Sequence, residues 1–502
     1  DTIVNLLQHG SAHVPAIFAT DREPLKYGKL REHVTGVVGA LNGWGLGRND
    51  RVAIVLPNGP YMATAFVSVA AGATAAPLNP SYRAEEFSFF LQDLDARALI
   101  LMANSESPAR TVARERSIPI IELEPNKEIA GLFELHSQQV ASPGSNNSIA
   151  TDDTALILHT SGTTSRPKIV PLSHGNLIAS SRHIAQTLAL SADDCCLNIM
   201  PLFHIHGLLA ALLSSLAAGG AVVCSQGFNA LKFFAWVDEF KPSWYTAVPT
   251  MHQAILSRAA RNRETIEMNP LRFIRSSSSS LPPQVMKELE ETFKTPVIES
   301  YGMTEAAHQM ASNPLPPAQR KPGTVGPAAG PEIAIMDEVG NVLSGGAIGE
   351  VVIQGANVTQ GYEGNPEANA DAFSDGWFRT GDQGTIDGDG YLTITGRLKE
   401  IINRGGEKIS PREVDEVLMD HPDVSQAVTF AVPHEKLGED VAAAVVLAEG
   451  VHLDADTLRT FVRRRLADFK VPRQVVFVEE IPKGSTGKLQ RIGLGQKLGL
   501  VK

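Results

Sequence analysis

Thr160-Ser161-Gly162-Thr163-Thr164-Ser165-Arg166-Pro167-Lys168 sets five hydroxyls, one glycine and two cations in nine consecutive residues. The apolar run 155–159 before it reads as a strand, and a helix is expected to open near Ser173. A loop of this composition between a strand and a helix can cradle phosphates through backbone N–H groups, hydroxyls and positive charge. It is not a Walker loop, which needs Gly-Lys-Ser/Thr where this chain has Pro167-Lys168-Ile169. Ile169 is β-branched and tolerates positive φ poorly, so the chain is expected to leave the loop extended.

Working outward, apolar runs alternate with helical periodicity from about residue 27 to 190: 52–56 reads as a buried strand and 61–71 as a helix. That alternation predicts a multi-layer α/β fold. The polar stretch 142–147 is expected to be a surface loop within it. Downstream, Asp-Gly signals at Asp387 and Asp389 introduce a short strand at 391–395, and the pattern then changes. The boundary is placed at 396–399, giving a large N-terminal domain, 1–396, and a small α+β C-terminal domain, 397–502, on a hinge. Ser410-Pro411-Arg412-Glu413 is a capping box with proline at the first helical position, and Val414, Val417 and Leu418 supply the apolar stripe. Strands at 427–432 and 441–447 follow, then a helix from Asp454 with Leu458, Phe461, Val462 and Leu466 on one face, then a strand at 474–478.

A chain of 502 residues exceeds what one core organises, and 43% apolar residues suffice to fill two domains. The formal charge of -11 argues against a nucleic-acid-binding role. Only Cys195, Cys196 and Cys224 occur, and the adjacent pair cannot readily form a mutual disulfide or supply a four-ligand zinc set. The apolar stretches 63–76 and 208–223 fall short of the roughly 20 strongly apolar residues that span a bilayer. With no targeting signal visible in this chain, a reducing intracellular location, cytoplasmic or peroxisomal, is the expectation.

The loop at 160–168 resembles the phosphate-binding loop of the adenylate-forming superfamily, which includes acyl-CoA synthetases, luciferases and the adenylation domains of peptide synthetases. The rest of that superfamily's motif series comes in order along the chain. Tyr301-Gly302-Met303-Thr304-Glu305 resembles the segment whose threonine touches the adenylate phosphate and whose glutamate helps hold magnesium. Trp377-Phe378-Arg379-Thr380-Gly381-Asp382 resembles the segment whose aspartate binds the ribose hydroxyls. Gly396-Arg397-Leu398-Lys399 resembles the hinge, with Arg397 near the ribose and phosphate and Lys399 at the pivot. Pro482-Lys483-Gly484-Ser485-Thr486-Gly487-Lys488 resembles the C-terminal loop carrying the catalytic lysine.

The resemblance implies ATP, Mg2+ and coenzyme A as cofactors. It assigns catalysis to Lys488, Glu305, Thr304 and Lys168, and metal binding to Glu305. Nucleotide and thiol binding fall to Thr160, Ser161, Gly162, Thr163, Thr164, Ser278, Ser279, Ser280, Glu299, Ser300, Tyr301, Gly302, Met303, Asp382, Ile394, Arg397 and Lys399, with Gly405 and Gly406 beside the pantetheine channel. Two departures stand out: Ser165 replaces a common glycine, and Ile169 stands where glycine often comes after the lysine.

For the acid, Arg275-Ser276-Ser277-Ser278-Ser279-Ser280-Leu281 replaces a glycine-rich run beside the adenine and acyl pocket, and Pro201-Leu202-Phe203-His204-Ile205-His206-Gly207 is similar to the segment that gates that pocket. His204, His206, Ser278, Ser280 and His308 are the candidate substrate donors. The two histidines at i and i+2 could be a metal pair, but no further ligand cluster follows nearby. With Asn313-Pro314-Leu315-Pro316 and Asn403-Arg404-Gly405-Gly406-Glu407-Lys408, these segments resemble the oxalate–CoA ligase and peroxisomal CoA-synthetase branch of plants and fungi.

The expected activity is an ATP-dependent acid–CoA ligase with oxalate as leading substrate. The alternatives are a ligase for an aryl or medium-chain fatty acid, and a catalytically silent nucleotide-binding or regulatory protein. A silent protein has no chemical need for both Lys488 and Glu305. The partners expected are a small carboxylate, ATP and CoA, with no membrane span, and either a monomer or a dimer. Lys488→Ala is expected to lower acyl-adenylate formation by about a hundredfold or more, as loss of a transition-state charge contact does, measured as carboxylate-dependent exchange of pyrophosphate into ATP.

Overall fold

Four sheets carry the chain, for which the computed structural model describes residues 1–137, 148–160, 167–483 and 489–501. The expected surface loop at 142–147 lies outside them. The first sheet has seven strands, in the order Phe133–Ser137, Ile120–Pro125, Ala98–Met102, Arg51–Val55, Thr74–Pro77, Thr154–Thr160 and Lys168–Ser173. Its central strands are parallel and helices pack on them, which is why Val52 to Val55 reads as one apolar run, buried throughout. The helix after it, Pro60–Ala70, opens on proline at its first position.

Ile169 lies in the strand Lys168–Ser173, opposite His159 in antiparallel register, and is extended as its β-branched side chain requires. Ser173 then caps the helix His174–Thr187 by accepting the Asn176 N–H at 3.1 Å.

Eight strands form the second sheet: His308–Ser312, Val297–Met303, Phe273–Ser276, Trp244–Ala247, Cys195–Asn198, Ala221–Cys224, Pro15–Phe18 and Leu25–Lys26. The largest apolar cluster joins it to the first sheet through the helices Tyr27–Gly43, Pro60–Ala70 and His206–Leu213. The serine run is ordered: Ser276 ends a strand, Ser277 is buried, and Pro282 caps the helix Pro283–Phe293. All three cysteines are unbridged thiols. A third sheet, of five strands, contains Glu332–Met336, Gly349–Gln354, Trp377–Ile386, Phe373–Ser374 and Leu392–Arg397. The short turn Leu398–Glu400 comes next.

The fourth sheet begins at Ile402–Arg404 and continues with Glu407–Ile409, Gly438–Leu447, Val424–His434 and Gln474–Phe477. Helices Pro411–Met419 and Ala455–Arg463 cover one of its faces. Ser410 and Asp454 cap them, accepting N–H groups of Glu413 and Thr457. Val414, Leu418, Leu458 and Val462 are the buried stripe, with Val417 at its margin. The small domain touches the large one where Arg412 Nη1 donates to Ile394 O at 2.7 Å and Gln253 Nε2 to Ser425 O at 3.1 Å. Among the described residues no helix is long and apolar enough to cross a membrane.

One backbone approach sets the geometry at the edge of the second sheet. Val297–Met303 pairs antiparallel with His308–Ser312, with a register shift between Tyr301 and Gly302. A Cβ on Gly302 would stand 1.7 Å from the His308 carbonyl oxygen, inside any permitted contact. Gly302→Ala is therefore expected to destabilise the fold by about 3 kcal/mol or more, the upper end of overpacking costs, read as a lower denaturant midpoint at unchanged slope.

Candidate active site

Two polar clusters lie on either side of that strand pair. Glu305 sits in the tight turn Thr304–Ala306, buried, with its carbonyl accepting the Thr359 N–H at 2.7 Å. Tyr362 Oη donates to Glu305 Oε1 at 2.8 Å, and Lys168 Nζ lies 4.2 Å from the centre of the Tyr362 ring. Burial raises the Glu305 carboxyl above its ordinary range, opposed by the Tyr362 hydrogen bond and by the charges of Arg397 and Lys168. Asp382, also buried, accepts from Arg397 Nε at 3.0 Å and from Tyr301 Oη at 2.5 Å. The Asp382 carboxylate is the chief cause holding the Arg397 guanidinium above its usual value. Lys168, Glu305, Tyr362, Arg397, Asp382 and Tyr301 thus form one electrostatically linked group, drawn from five separate segments.

The second cluster is imidazole-rich. His206 begins the wide helix His206–Leu213, whose i→i+5 bonding gives it an extra residue per turn. Its Nε2 is 2.6 Å from Thr246 Oγ1 and its Nδ1 3.0 Å from Ser278 Oγ. His308 stacks on it, ring centroids 4.9 Å apart and planes 24° from parallel. Arg275 Nη1 lies 3.2 Å from His308 Nε2, and its Nη2 donates to Gln309 Oε1 at 3.4 Å. Ser278 and His308 both hold left-handed backbone, φ 73° and 97°, a strain that concentrates at functional sites.

His204 packs its ring on Phe203, centroids 4.6 Å apart, and Ser280 Oγ is buried without a hydrogen-bond partner among the described residues. So the structure joins His206, Ser278 and His308 directly, while the contact it shows for His204 is an aromatic one. Ser277 Oγ donates to Ser300 O at 2.9 Å, tying the serine loop to the neighbouring strand, and Ser300 Oγ meets Ser312 Oγ at 2.8 Å. Glu299 Oε1 accepts the Leu281 N–H at 2.9 Å, and burial pushes its carboxyl up to about 7. Ser279, Met303 and Ile394 are half-buried, and Thr160 ends its strand.

Lys399 is exposed on the turn between the domains. Gly405 and Gly406 make the left-handed turn, φ 60° and 96°, joining Ile402–Arg404 to Glu407–Ile409. That turn leans on its own domain, the Gly405 N–H donating to Leu437 O at 2.8 Å. Ser161, Gly162, Thr163, Thr164 and Lys488 lie outside the described residues. Among the described residues there is no group of three or more His, Cys, Asp or Glu side chains that could hold a metal.

Sequence reasoning missed Tyr362, Arg275 and Thr246. Tyr362 carried a faint signal, since Asn365-Pro366 after it opens a helix with Asn365 as cap and pins the preceding turn. Arg275 opens the serine-rich segment already placed beside the acyl pocket, but nothing local gave it a role, and nothing in the local pattern of Thr246 separates it from other strand residues.

An AMP-binding enzyme family profile matches residues 8–363, and the profile of the AMP-binding enzyme C-terminal domain matches 413–488. The chain belongs to the AMP-binding enzyme family. Among its relatives in that family, the oxalate–CoA ligase of Arabidopsis thaliana is 44% identical over 508 residues, covering 98% of this chain and 97% of that protein. The oxalate–CoA ligase of Saccharomyces cerevisiae (strain ATCC 204508 / S288c) is 40% identical over 514 residues, 97% and 90% of the two chains. The crystal structure of ATP-bound MatB from Rhodopseudomonas palustris superposes with TM-score 0.87 at 28% identity, covering 98% and 97%. This AMP-binding enzyme accordingly has a large N-terminal domain followed by the small C-terminal domain of the family.

Removing the Tyr362 hydroxyl leaves Glu305 more costly to ionise. Tyr362→Phe is expected to move the acid limb of the pH–rate profile for pyrophosphate exchange to higher pH, because the lost hydrogen bond was holding the Glu305 pKa down.

Proposed function

We propose that this AMP-binding enzyme is an oxalate–CoA ligase. The reaction class is that of an ATP-dependent, AMP-forming acid–CoA ligase, supported by relatives matched over nearly the full length of both chains. In the first half reaction a carboxylate oxygen attacks the α-phosphorus of ATP, and the bond to the departing pyrophosphate breaks. In the second the CoA thiolate attacks the acyl carbon and AMP leaves with the former carboxylate oxygen.

Both reactants of the first step are anionic, so the site must offset charge and hold them in line. Lys168 and Arg397, with Lys488 delivered by the C-terminal loop, suit that task, and Thr160 to Thr164 would wrap the phosphates. Asp382, fixed by Arg397 and Tyr301, is the acceptor proposed for the ribose hydroxyls. Glu305 fits a magnesium ligand: its carboxylate is held by one hydroxyl between two cations, and one protein carboxylate suffices where phosphate oxygens and waters complete the shell. Magnesium bound there would neutralise phosphate charge.

We place the domain boundary at 396/397 and assign the thiol step to a rotation about Lys399. The Gly405–Gly406 turn is held within its own domain and would be carried as part of that domain in such a rotation, toward the pantetheine channel the family resemblance implies. A reducing intracellular compartment, cytoplasmic or peroxisomal, suits three unbridged cysteines.

The observation that carries oxalate is the His206–Ser278–His308 cluster. Segments resembling the acyl-pocket walls meet in hydrogen-bonding side chains, where a fatty or aryl chain would call for leucines and aromatics. A second carboxylate taken out of water must find such donors, because an unpaired buried charge costs several kcal/mol. The test compares kcat/KM for oxalate, malonate, acetate, hexanoate and 4-coumarate. Oxalate is expected to lead, and His206→Ala to cost oxalate about 1.5 to 3 kcal/mol, a hydrogen bond to a charged group. A lead of about tenfold or more for hexanoate or 4-coumarate, roughly 1.4 kcal/mol, overturns the oxalate assignment.

A further inference from the structure

Arg275 is fully buried on the strand Phe273–Ser276, and among the described residues no carboxylate forms an ion pair with it. Its hydrogen bonds go to neutral groups: His308 Nε2 at 3.2 Å, Gln309 Oε1 at 3.4 Å and a long contact to Thr246 Oγ1 at 3.5 Å. Its Nε has no hydrogen-bond partner among the described residues. Burial lowers its pKa to about 9, which still leaves it charged at neutral pH. A buried cation without a counter-charge is expensive, so its place beside the imidazole cluster calls for a compensating anion.

The chemistry of the contacts fixes protons. A guanidinium has only donors, so His308 Nε2 must accept, which puts the His308 proton on Nδ1 and keeps that ring neutral. Thr246 Oγ1 receives the Arg275 contact and can turn its hydroxyl proton toward His206 Nε2, 2.6 Å away. With the hydroxyl turned that way His206 carries its proton on Nδ1, on the side of Ser278. A proton added to either stacked ring would sit close to the guanidinium and is disfavoured.

We propose that Arg275 is the positioning residue of the acyl pocket: it fixes His308 as the neutral Nδ1–H tautomer and, through Thr246, favours the same tautomer for His206, and it supplies the permanent positive charge opposite which the second anionic group of a small dicarboxylate binds. This rests on the oxalate reading and adds the source of selectivity. The charge is one that neutral pH does not remove, unlike that of a histidine.

The titratable group that faces Arg275 from the strand Cys195–Asn198 is Cys196, while His252 packs on Tyr245 on the opposite face of the sheet. Burial holds the Cys196 thiol well up and His252 at about 3, so both stay neutral. Glu299 pairs with Ser276 and so lies on the opposite face of the sheet from Arg275.

The test measures kcat and KM for oxalate and acetate by pyrophosphate exchange from about pH 5.5 to 8.5, the range in which a released histidine would titrate, for the unaltered enzyme, Arg275→Gln and Arg275→Lys. The unaltered enzyme is expected to show an oxalate KM flat across that range. Arg275→Gln should lower oxalate-over-acetate selectivity about thirtyfold, chiefly through KM, as loss of a charged contact does. It should also regain oxalate affinity below about pH 6.5, where the released His308 can protonate. Arg275→Lys should restore part of the selectivity.

An Arg275→Gln enzyme that folds, keeps its selectivity and keeps a flat profile overturns the inference and leaves the oxalate assignment standing. An unaltered enzyme with no preference for oxalate over acetate overturns the assignment itself. Should Arg275→Gln not fold, 15N-histidine spectra of the unaltered enzyme decide, with the His308 signal assigned by its loss in His308→Asn: a neutral Nδ1–H ring at pH 6 supports the proposal, and an imidazolium or an Nε2–H ring overturns it.

Discussion

Gly302 and the His308 carbonyl come closer than any side chain would permit, and both polar clusters hang from that contact. The strand Val297–Met303 reaches the site carrying Tyr301, turns through Thr304–Ala306 to present Glu305, and returns as His308–Ser312. Tyr301 and Glu305 face the charged group around Asp382 and Tyr362, and His308 faces the imidazole group. Left-handed Ala307 and His308 are the conformational cost of reversing the chain so tightly. Both clusters are thereby referred to one rigid strand pair, the kind of placement on which in-line attack depends.

The two clusters solve the anion problem differently. Around Glu305 and Asp382, carboxylates and cations alternate, so charges are mutually neutralised until an anionic nucleotide displaces part of the balance. Around His206 and His308, the groups are neutral and hydrogen-bonded, with a single buried guanidinium behind them. The first arrangement suits a highly charged ligand that arrives with its own counter-ions. The second suits a small one that must be recognised by shape and a few donors.

Much of this was legible in the chain because it is locally encoded. The apolar run at 52–56, the caps at Ser173, Ser410 and Asp454, and the extended Ile169 each depend on a few neighbouring residues. The motif order brought Lys168, Glu305, Asp382 and Arg397 into view, and in the fold they share one field. Tyr362 and Arg275 escaped because their roles exist only after distant segments meet: Tyr362 is 57 residues from Glu305, and Arg275 is 33 from His308. Arginine on a half-apolar strand reads as a surface residue until the sheet closes over it. His204 was singled out with His206 because their segment resembles the one that gates the acyl pocket, and alternate positions there take different partners, Phe203 for one and Thr246 with Ser278 for the other.

The wide helix that starts at His206 holds one residue more than a regular turn would accommodate. Such wide turns are rare and occur most often at functional sites. The direction of His206 therefore depends on how many residues come after it as well as on which ones. Loss of a single residue from that helix would restore ordinary pitch and swing whatever precedes it by about 100° around the axis. A wall built this way can exchange the side chain it presents by a change in chain length, with no change in its composition.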